Sequence, residues 1–467
     1  MKILFVYKGR YHIRDTVIIE YLSAIAKKYG HDTSLAYDLD LFGVTDNVFS
    51  NPLLNRIFSN DSRTLKDISR SGAHLVVFLN GFIRRQWNAR IASTIASKPG
   101  CVTVLFSYAQ DDSFRGVFDY RIFGEPEAAF EWFIKEKKFE ASRGEYRYKE
   151  LADLNELPLP DKTLFSPYVN FKDSYMLYTS KGCPYECSYC EETVYKGSQG
   201  QQYFRRMSPA RVLQELTEAK KTFHMREVIF KDSVFALDKA WLKEFLAAFK
   251  KDIRVPFKCF GKAEVFDEEM AVMLKESGCY CVEFGAQNFN EQLKRHVLRR
   301  VETNQTLLRA FAVCDSMGLR YDIDHLFGIP GESVQDHVQA ASIYSGLKLL
   351  NRIKCHNLAF YREAEIFASA PVKIRNNPRY NADFFSSISG ETKMVEINKN
   401  FQKYFRFLPL LSKKINSLVN RDSNWKIFKF IPTFLITFFM LLLAVKNKDK
   451  RFFVYAKLFS LRLIRAI

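Results

Sequence analysis

Ser180-Lys181-Gly182-Cys183-Pro184-Tyr185-Glu186-Cys187-Ser188-Tyr189-Cys190 sets three cysteines at a C-x3-C-x2-C spacing, with an aromatic residue directly before the last. Three thiolates on one short loop can hold three irons of a [4Fe-4S] cube, and the missing fourth cysteine leaves one iron open to another ligand. An open iron implies chemistry rather than electron storage. With nine cysteines in 467 residues, chance produces this spacing on the order of 0.003 times per chain. Structural zinc normally takes four ligands in two pairs. Cys279 and Cys281 stand one residue apart and supply no second pair.

At these residues the chain resembles the radical S-adenosylmethionine (SAM) superfamily. The resemblance implies that Cys183, Cys187 and Cys190 are the metal ligands and the catalytic core. It implies that SAM chelates the open iron, and that an electron from an external one-electron reductant cleaves it to methionine and a 5′-deoxyadenosyl radical. Tyr189 would pack near the adenine, with a half-buried core tyrosine as the alternative.

The length allows two or three domains, and 47% apolar content with 20 Gly and 14 Pro is that of a folded chain. The cysteines suit a reducing cytosol, where the cluster would be oxygen-sensitive. The N-terminus has five apolar residues before Lys8, too few for a signal peptide. The net charge is +18, and residues 401–467 carry nine Lys and five Arg against Asp422 and Asp449, twelve of those charges. The same segment holds sixteen uncharged residues from Phe430 to Val445, short of the ~20 that span a bilayer. Three readings stay open: a peripheral anchor on the cytoplasmic membrane face, favoured by the flanking cations, a helix packed on the catalytic domain, and a span. Nucleic acid is not expected as a partner, since a long apolar run is a poor phosphate-binding surface.

Residues 1–135 alternate apolar runs with helical patterns, as in a doubly wound flavodoxin-like α/β domain. Strands are expected at Lys2–Tyr7, Thr33–Tyr37, His74–Leu79, Val102–Phe106 and Tyr120–Phe123. Phe123-Gly124-Glu125-Pro126-Glu127 resembles the last-strand signature of the cobalamin-binding (B12-binding) domains that precede many radical SAM enzymes. That resemblance implies cobalamin, with Gly124 and Glu125 as cofactor-binding residues. Ser107-Tyr108-Ala109-Gln110-Asp111-Asp112 replaces the family's glycine-rich turn and would crowd a corrin ring, and no D-x-H-x-x-G motif is present. His12, the first loop's one histidine, reads as a solvated residue.

Residues 136–174 read as a charged helix and a linker, with the extended connector Leu151–Asp161. From 175 to 365, six strands alternate with helices: Tyr175–Ser180, Glu227–Lys231, Phe257–Gly261, Tyr280–Phe284, Arg320–His325 and Lys354–Phe360. This fits a partial (β/α)6 barrel of the radical SAM type, in which chemistry gathers at strand C-termini. The resemblance places SAM contacts at Asp232, at Gly285, Gln287 and Asn288 in the G-x-[EQ]-[SN]-like segment, and at Gly328 in Gly328-Ile329-Pro330-Gly331-Glu332. For Asp232 a helix N-cap is the alternative. Arg362 reads as a solvated arginine paired with Glu363 or Glu365. Residues 366–467 form a helical C-terminal region with a basic, hydrophobic tail, and Phe401, Tyr404, Phe405 and Leu408 have the spacing of a core stripe.

The reading is a radical SAM enzyme acting on an unactivated carbon of a small-molecule or lipid-like substrate. Methyl transfer follows if cobalamin is bound, and oxidative cyclisation or rearrangement if it is not. A non-catalytic iron–sulfur redox sensor is the alternative from a different class.

Overall fold

The structure, a computed structural model, describes residues 1–9, 11, 14–38, 61–81, 84–96, 101–110, 114–200, 203–377, 392–421, 423–432, 435, 438–439, 442–443 and 445–446. His12, Asp111 and Asp112 lie outside them.

The N-terminal strands are β1 Lys2–Lys8, β2 Asp32–Asp38, β3 Leu75–Leu79, β4 Val102–Ser107, β5 Tyr120–Phe123 and β6 Gly144–Arg147. They form one parallel sheet in the order β2-β1-β3-β4-β5-β6. Continuous apolar strands such as Ile3-Leu4-Phe5-Val6-Tyr7 suit burial on both faces. Ile3, Phe5 and Val77 join one core cluster, and Leu4, Val6 and Val76 join another. The stretch expected as a charged helix and connector supplies the sixth strand, at Gly144–Arg147.

The second sheet runs β14-β13-β12-β11-β10-β7. Its strands are β7 Tyr175–Leu177, β10 Val228–Phe230, β11 Phe257–Gly261, β12 Cys279–Gln287, β13 Arg320–Phe327 and β14 Leu350–Asn357. Between β7 and β10 a two-stranded antiparallel ladder pairs β8 Ser180–Lys181 with β9 Arg205–Arg206. All pairs in the six-stranded sheet are parallel, so the helices between them cover its outer face. Ser208 caps helix Pro209–Phe223 by accepting from Arg211 N at 3.2 Å, with Pro209 at the first helical position. The last strand starts four residues before the expected Lys354 and ends at Asn357. Leu358 and Phe360, taken for strand residues, pack in a separate cluster with Leu298, Leu326 and Ile329.

The seam between the two sheets is largely apolar, and Lys162 is buried in it. This fully buried lysine donates to Glu20 (2.6 Å) on helix Arg14–Lys28 and to the Met176 carbonyl (2.8 Å) on β7. Burial pushes the Glu20 carboxyl up to about 7 against the opposing pull of Lys162. Phe401, Tyr404, Phe405 and Leu408 of the C-terminal region are all buried, as a core stripe requires. Phe401 stacks 4.6 Å from Trp425, and Tyr404 lies 5.1 Å from Phe428. The beginning of the tail is thereby packed on helix Thr392–Phe407, which itself lies against β14. Among the described residues no helix is long and apolar enough to cross a membrane.

Candidate active site

The cysteine loop leaves β8 at the C-terminal end of the barrel sheet and runs into helix Glu191–Gln199. Gly182 sits at φ 83°, where a Cβ would meet the Tyr203 carbonyl oxygen at 2.7 Å, so the loop's first turn needs glycine. Cys183, Cys187 and Cys190 are free and partly exposed. Burial pushes the Cys183 thiol up to about 11 and the Cys190 thiol well above its ordinary value, so metal binding must expel those protons. Among the described residues no three Cys, His, Asp or Glu side chains converge as a site for one ion requires. Cysteines that each hold a different iron of a cube need no such convergence.

Tyr189, Gly285 and Gln287 come together around Arg300. Its Nη1 donates to the Tyr189 hydroxyl at 3.0 Å, its Nη2 to the Gly285 carbonyl at 2.6 Å, and its Nε pairs with Glu302. A Cβ on Gly285 would stand 2.6 Å from Gln287 Nε2. Glycine therefore lets Gln287, itself left-handed at φ 61°, fold back over the strand end. Lys262 sits 4.1 Å over the Tyr185 ring and 3.2 Å from Glu302, which fixes the cysteine loop to the top of β11. Nothing in the sequence separated Arg300 from its neighbour Arg299, and the buried Glu302 two residues on was the only local hint.

Asp232 is not a helix cap; Asp238 caps the following helix. Asp232 Oδ1 accepts from Thr179 N (2.9 Å), Thr179 Oγ1 (2.7 Å) and Ser180 Oγ (2.6 Å), anchoring the strand that launches the cysteine loop. Its Oδ2 is buried without a hydrogen-bond partner. Asn288 Oδ1 closes a turn by accepting from Asn290 N at 2.8 Å, and its Nδ2 is also buried without a partner. Gly328 N and Ile329 N donate to the two Glu332 oxygens at 2.7 and 3.1 Å, and Asn398 Nδ2 donates to Glu332 Oε1 at 2.5 Å.

Gly124 and Glu125 stand apart from this group, at the domain joint. A Cβ on Gly124 would collide with the Tyr148 carbonyl oxygen. Glu125 accepts from Ala152 N at 2.7 Å and pairs with Arg205 and with Lys181 (3.3 Å), two residues before Cys183. Burial raises its carboxyl, but these cations outweigh burial and hold it below its ordinary value. Tyr108 does not lie open in its turn; its ring stacks on Tyr195 at 4.1 Å, and its carbonyl accepts from Gln199 at 2.8 Å. The C-terminal edge of the first sheet thus faces the helix that follows the cysteines. Glu363 and Glu365 pair with Arg85 (2.9 Å) and Arg299 rather than with Arg362, which packs 5.3 Å from the Phe367 ring.

A doubly wound sheet edge facing a partial barrel whose first strand launches three free cysteines defines a radical SAM architecture, and residues 177–342 match the Radical SAM superfamily. The chain carries a radical SAM domain. Among curated proteins it is similar to an uncharacterized methyltransferase of Pyrococcus horikoshii, 24% identical over 191 residues, 40% of each chain. It is also similar to tryptophan 2-C-methyltransferase of Streptomyces laurentii, 28% identical over 173 residues, 34% of this chain and 28% of that one. The matched stretch thus spans two fifths or less of the length of either relative. Its fold is that of the cobalamin-dependent SAM radical enzyme OxsB, with a TM-score of 0.64 at 12% identity, covering 96% of this chain and 75% of that one. The radical SAM methyltransferase TsrM from Kitasatospora setae shares it at a TM-score of 0.57 and 14% identity, covering 78% and 74%.

Proposed function

We propose that the protein is a cobalamin-dependent radical SAM methyltransferase acting on an unactivated carbon of a small molecule. The observation that carries this reading is the face-to-face placement of the cysteine-loop helix and the C-terminal edge of the first sheet, through Tyr108 and Tyr195. Cys183, Cys187 and Cys190 would hold the [4Fe-4S] cluster. The unpartnered Asp232 Oδ2 and Asn288 Nδ2, with Gln287 over Gly285, supply the acceptor and donors that SAM's ammonium, carboxylate and ribose require. At the point where the first sheet's strand order reverses, between β1 and β3, Arg84 is 4% exposed, and its Nε and Nη1 and Asn80 Oδ1 have no hydrogen-bond partner. Buried orphan groups at a switch point fit a ligand rich in amide and phosphate groups, as cobalamin is.

When bound, the cluster supplies the electron that cleaves SAM and cobalamin carries the methyl group. The chain's own contribution is placement. Arg300 locks Tyr189 and the Gly285 segment to one another, so the cysteine loop and the fourth barrel strand present one surface. Lys181, Glu125 and Arg205 hold the two domains at fixed spacing beside that surface.

Anaerobically reconstituted protein, reduced and given SAM and hydroxocobalamin, is expected to release 5′-deoxyadenosine and to show a saturable change in the cobalamin spectrum. A radical reaction without any cobalamin change leaves cyclisation or rearrangement. Release of no 5′-deoxyadenosine with an intact cluster leaves a redox sensor.

A membrane location has its own observation. Of the eleven exposed large hydrophobic residues described, seven lie between Ile415 and Val445, among them Leu418, Ile427 and Phe430. Lys413, Lys414, Lys426 and Lys429 stand among them, the mixture of apolar and cationic groups that suits an anionic leaflet. Because Trp425 and Phe428 are core, charge substitutions test this better than truncation. Ile427→Glu with Phe430→Glu should abolish flotation with anionic liposomes while leaving the fold unchanged.

A further inference from the structure

The barrel lumen is charged where a barrel interior is ordinarily packed with branched apolar side chains. Along β11 to β14 the outward residues Cys259, Val282, Phe284, Ile323, Ile353 and Cys355 are buried under helices. The inward ones include Lys258, Glu283, Asp322, Asp324, Arg352 and Lys354, with the Phe260 ring among them. Strand register sets Glu283, Asp322 and Arg352 side by side in one row, and Gly285, Asp324 and Lys354 in the next. The lower row is a closed floor. Lys258 bridges Glu283 and Asp322, reaching the latter at 2.5 Å, and Arg352 Nε lies 3.3 Å from the same carboxylate.

Above the floor the lumen opens. On β14 the inward side chains of Arg352, Lys354 and His356 are 14%, 24% and 47% exposed in turn. Lys231, just after β10, places its ammonium 5.2 Å from the Phe260 ring centre, and Lys354 lies 6.0 Å from it. Both are partly exposed. Among the described residues Lys231, Lys258, Arg352 and Lys354 gather about Glu283, Asp322 and Asp324; Lys354 pairs with Glu283, and His356 lies 3.4 Å from Asp324. Lys354 shares its row with Gly285, the carbonyl of which Arg300 holds, so this cluster of cations lies beside the segment assigned to SAM.

We infer that the substrate carries an anionic group, a carboxylate or a phosphate, which the lumen holds between Lys231 and Lys354 beside Phe260. This deepens the proposed function and rests on its reading of the lumen as the reaction chamber. The two ammonium groups converge from different strands, as a fixed anion site needs, and the aromatic face excludes water from one side of the ion pair, which strengthens it. Burial, opposed by Glu283, pushes the Lys354 ammonium down to about 8. An incoming anion relieves that destabilisation.

Competitive lysine labelling of the full chain tests this. The protein is pulsed with acetic anhydride in the presence of benzoate, phenylphosphate or neutral benzamide, and acetylation is read by peptide mass spectrometry. One or both anions are expected to slow labelling of Lys231 and Lys354 by about tenfold, the scale of a charge-assisted contact. Benzamide should leave both rates unchanged, as should every probe at Lys250, 56% exposed on the surface. Which anion protects better distinguishes a carboxylate from a phosphate. Lys231→Met should remove the protection at Lys354, whereas Lys354→Arg should keep it at Lys231. Equal labelling with all three probes, or lysines that do not react at all, would overturn the inference. The readout needs no SAM cleavage. Protection without 5′-deoxyadenosine formation would sink the radical reading alone, and cleavage without protection would sink the anion site alone.

Discussion

The two parallel sheets use the same ladder with opposite chemistry. In the first, β1 reads Ile-Leu-Phe-Val-Tyr and sends alternate residues into two apolar clusters. In the second, β14 reads Leu-Asn-Arg-Ile-Lys-Cys-His-Asn and from Arg352 to His356 buries only every other residue. A sheet sealed on both faces can meet a ligand only at its edge loops, whereas a sheet with one wet, charged face can take one into its concavity.

The largest expected effect is at the loop where the two meet. Cys183→Ala, Cys187→Ala or Cys190→Ala should each abolish iron binding and SAM cleavage, read as iron content and 5′-deoxyadenosine, while Cys259, Cys314 and Cys355 on the sealed face tolerate Ser. Next, Lys258→Met should destabilise the barrel by about 3–5 kcal/mol, because Glu283 and Asp322 lose the cation between them. Val77→Ala in the first sheet should cost about 2 kcal/mol through lost burial and a small cavity. Chemical denaturation measures both, and the contrast fails if the charged floor proves the more tolerant. Arg300→Lys should raise the SAM concentration needed for half-maximal cleavage by about tenfold with cluster content unchanged, since an ammonium cannot fork to Tyr189 and Gly285 together. Tyr189→Phe, which loses one hydrogen bond, should raise it only severalfold.

The smallest effect is at a histidine of the packed face. His337, on the packed side, is held neutral by burial, which pushes it down to about 4. From its ordinary value near 6.5 down to about 4 the unfolded chain binds more protons than the folded one, so stability falls as pH falls through that window. His337→Gln should flatten that part of the stability profile.

The same contrast explains what the sequence discloses. Strands sealed on both faces are unbroken apolar runs, and all five expected in the first domain lie within a residue or two of their observed ends. The cysteine loop is equally legible as a feature, because three cysteines at one spacing need no tertiary context to be noticed. The final barrel strand hides itself: Asn351, Arg352 and Lys354 look like loop because they face a charged lumen, while Leu358 and Phe360 look like strand because they pack beside the site entrance. Arg300 is illegible for a related reason. Its partners are a hydroxyl 111 residues away and a backbone carbonyl, and neither leaves a motif. An apolar tail likewise looks uniform in sequence, and only packing divides it into a core side, Trp425 and Phe428, and an outer side, Ile427 and Phe430.

Asn398 gives the turn at Gly328 and Glu332 a support from 66 residues downstream, well past the stretch that similarity to the superfamily marks out. A recombinant fragment cut at that stretch would therefore keep all three cysteines of the loop yet leave Glu332 without its side-chain donor and His337 without its hydrogen-bond partner Asn398. Exchange of modules between relatives should work only when the C-terminal helix travels with the barrel, so the unit that is inherited together is longer than the unit that is recognised.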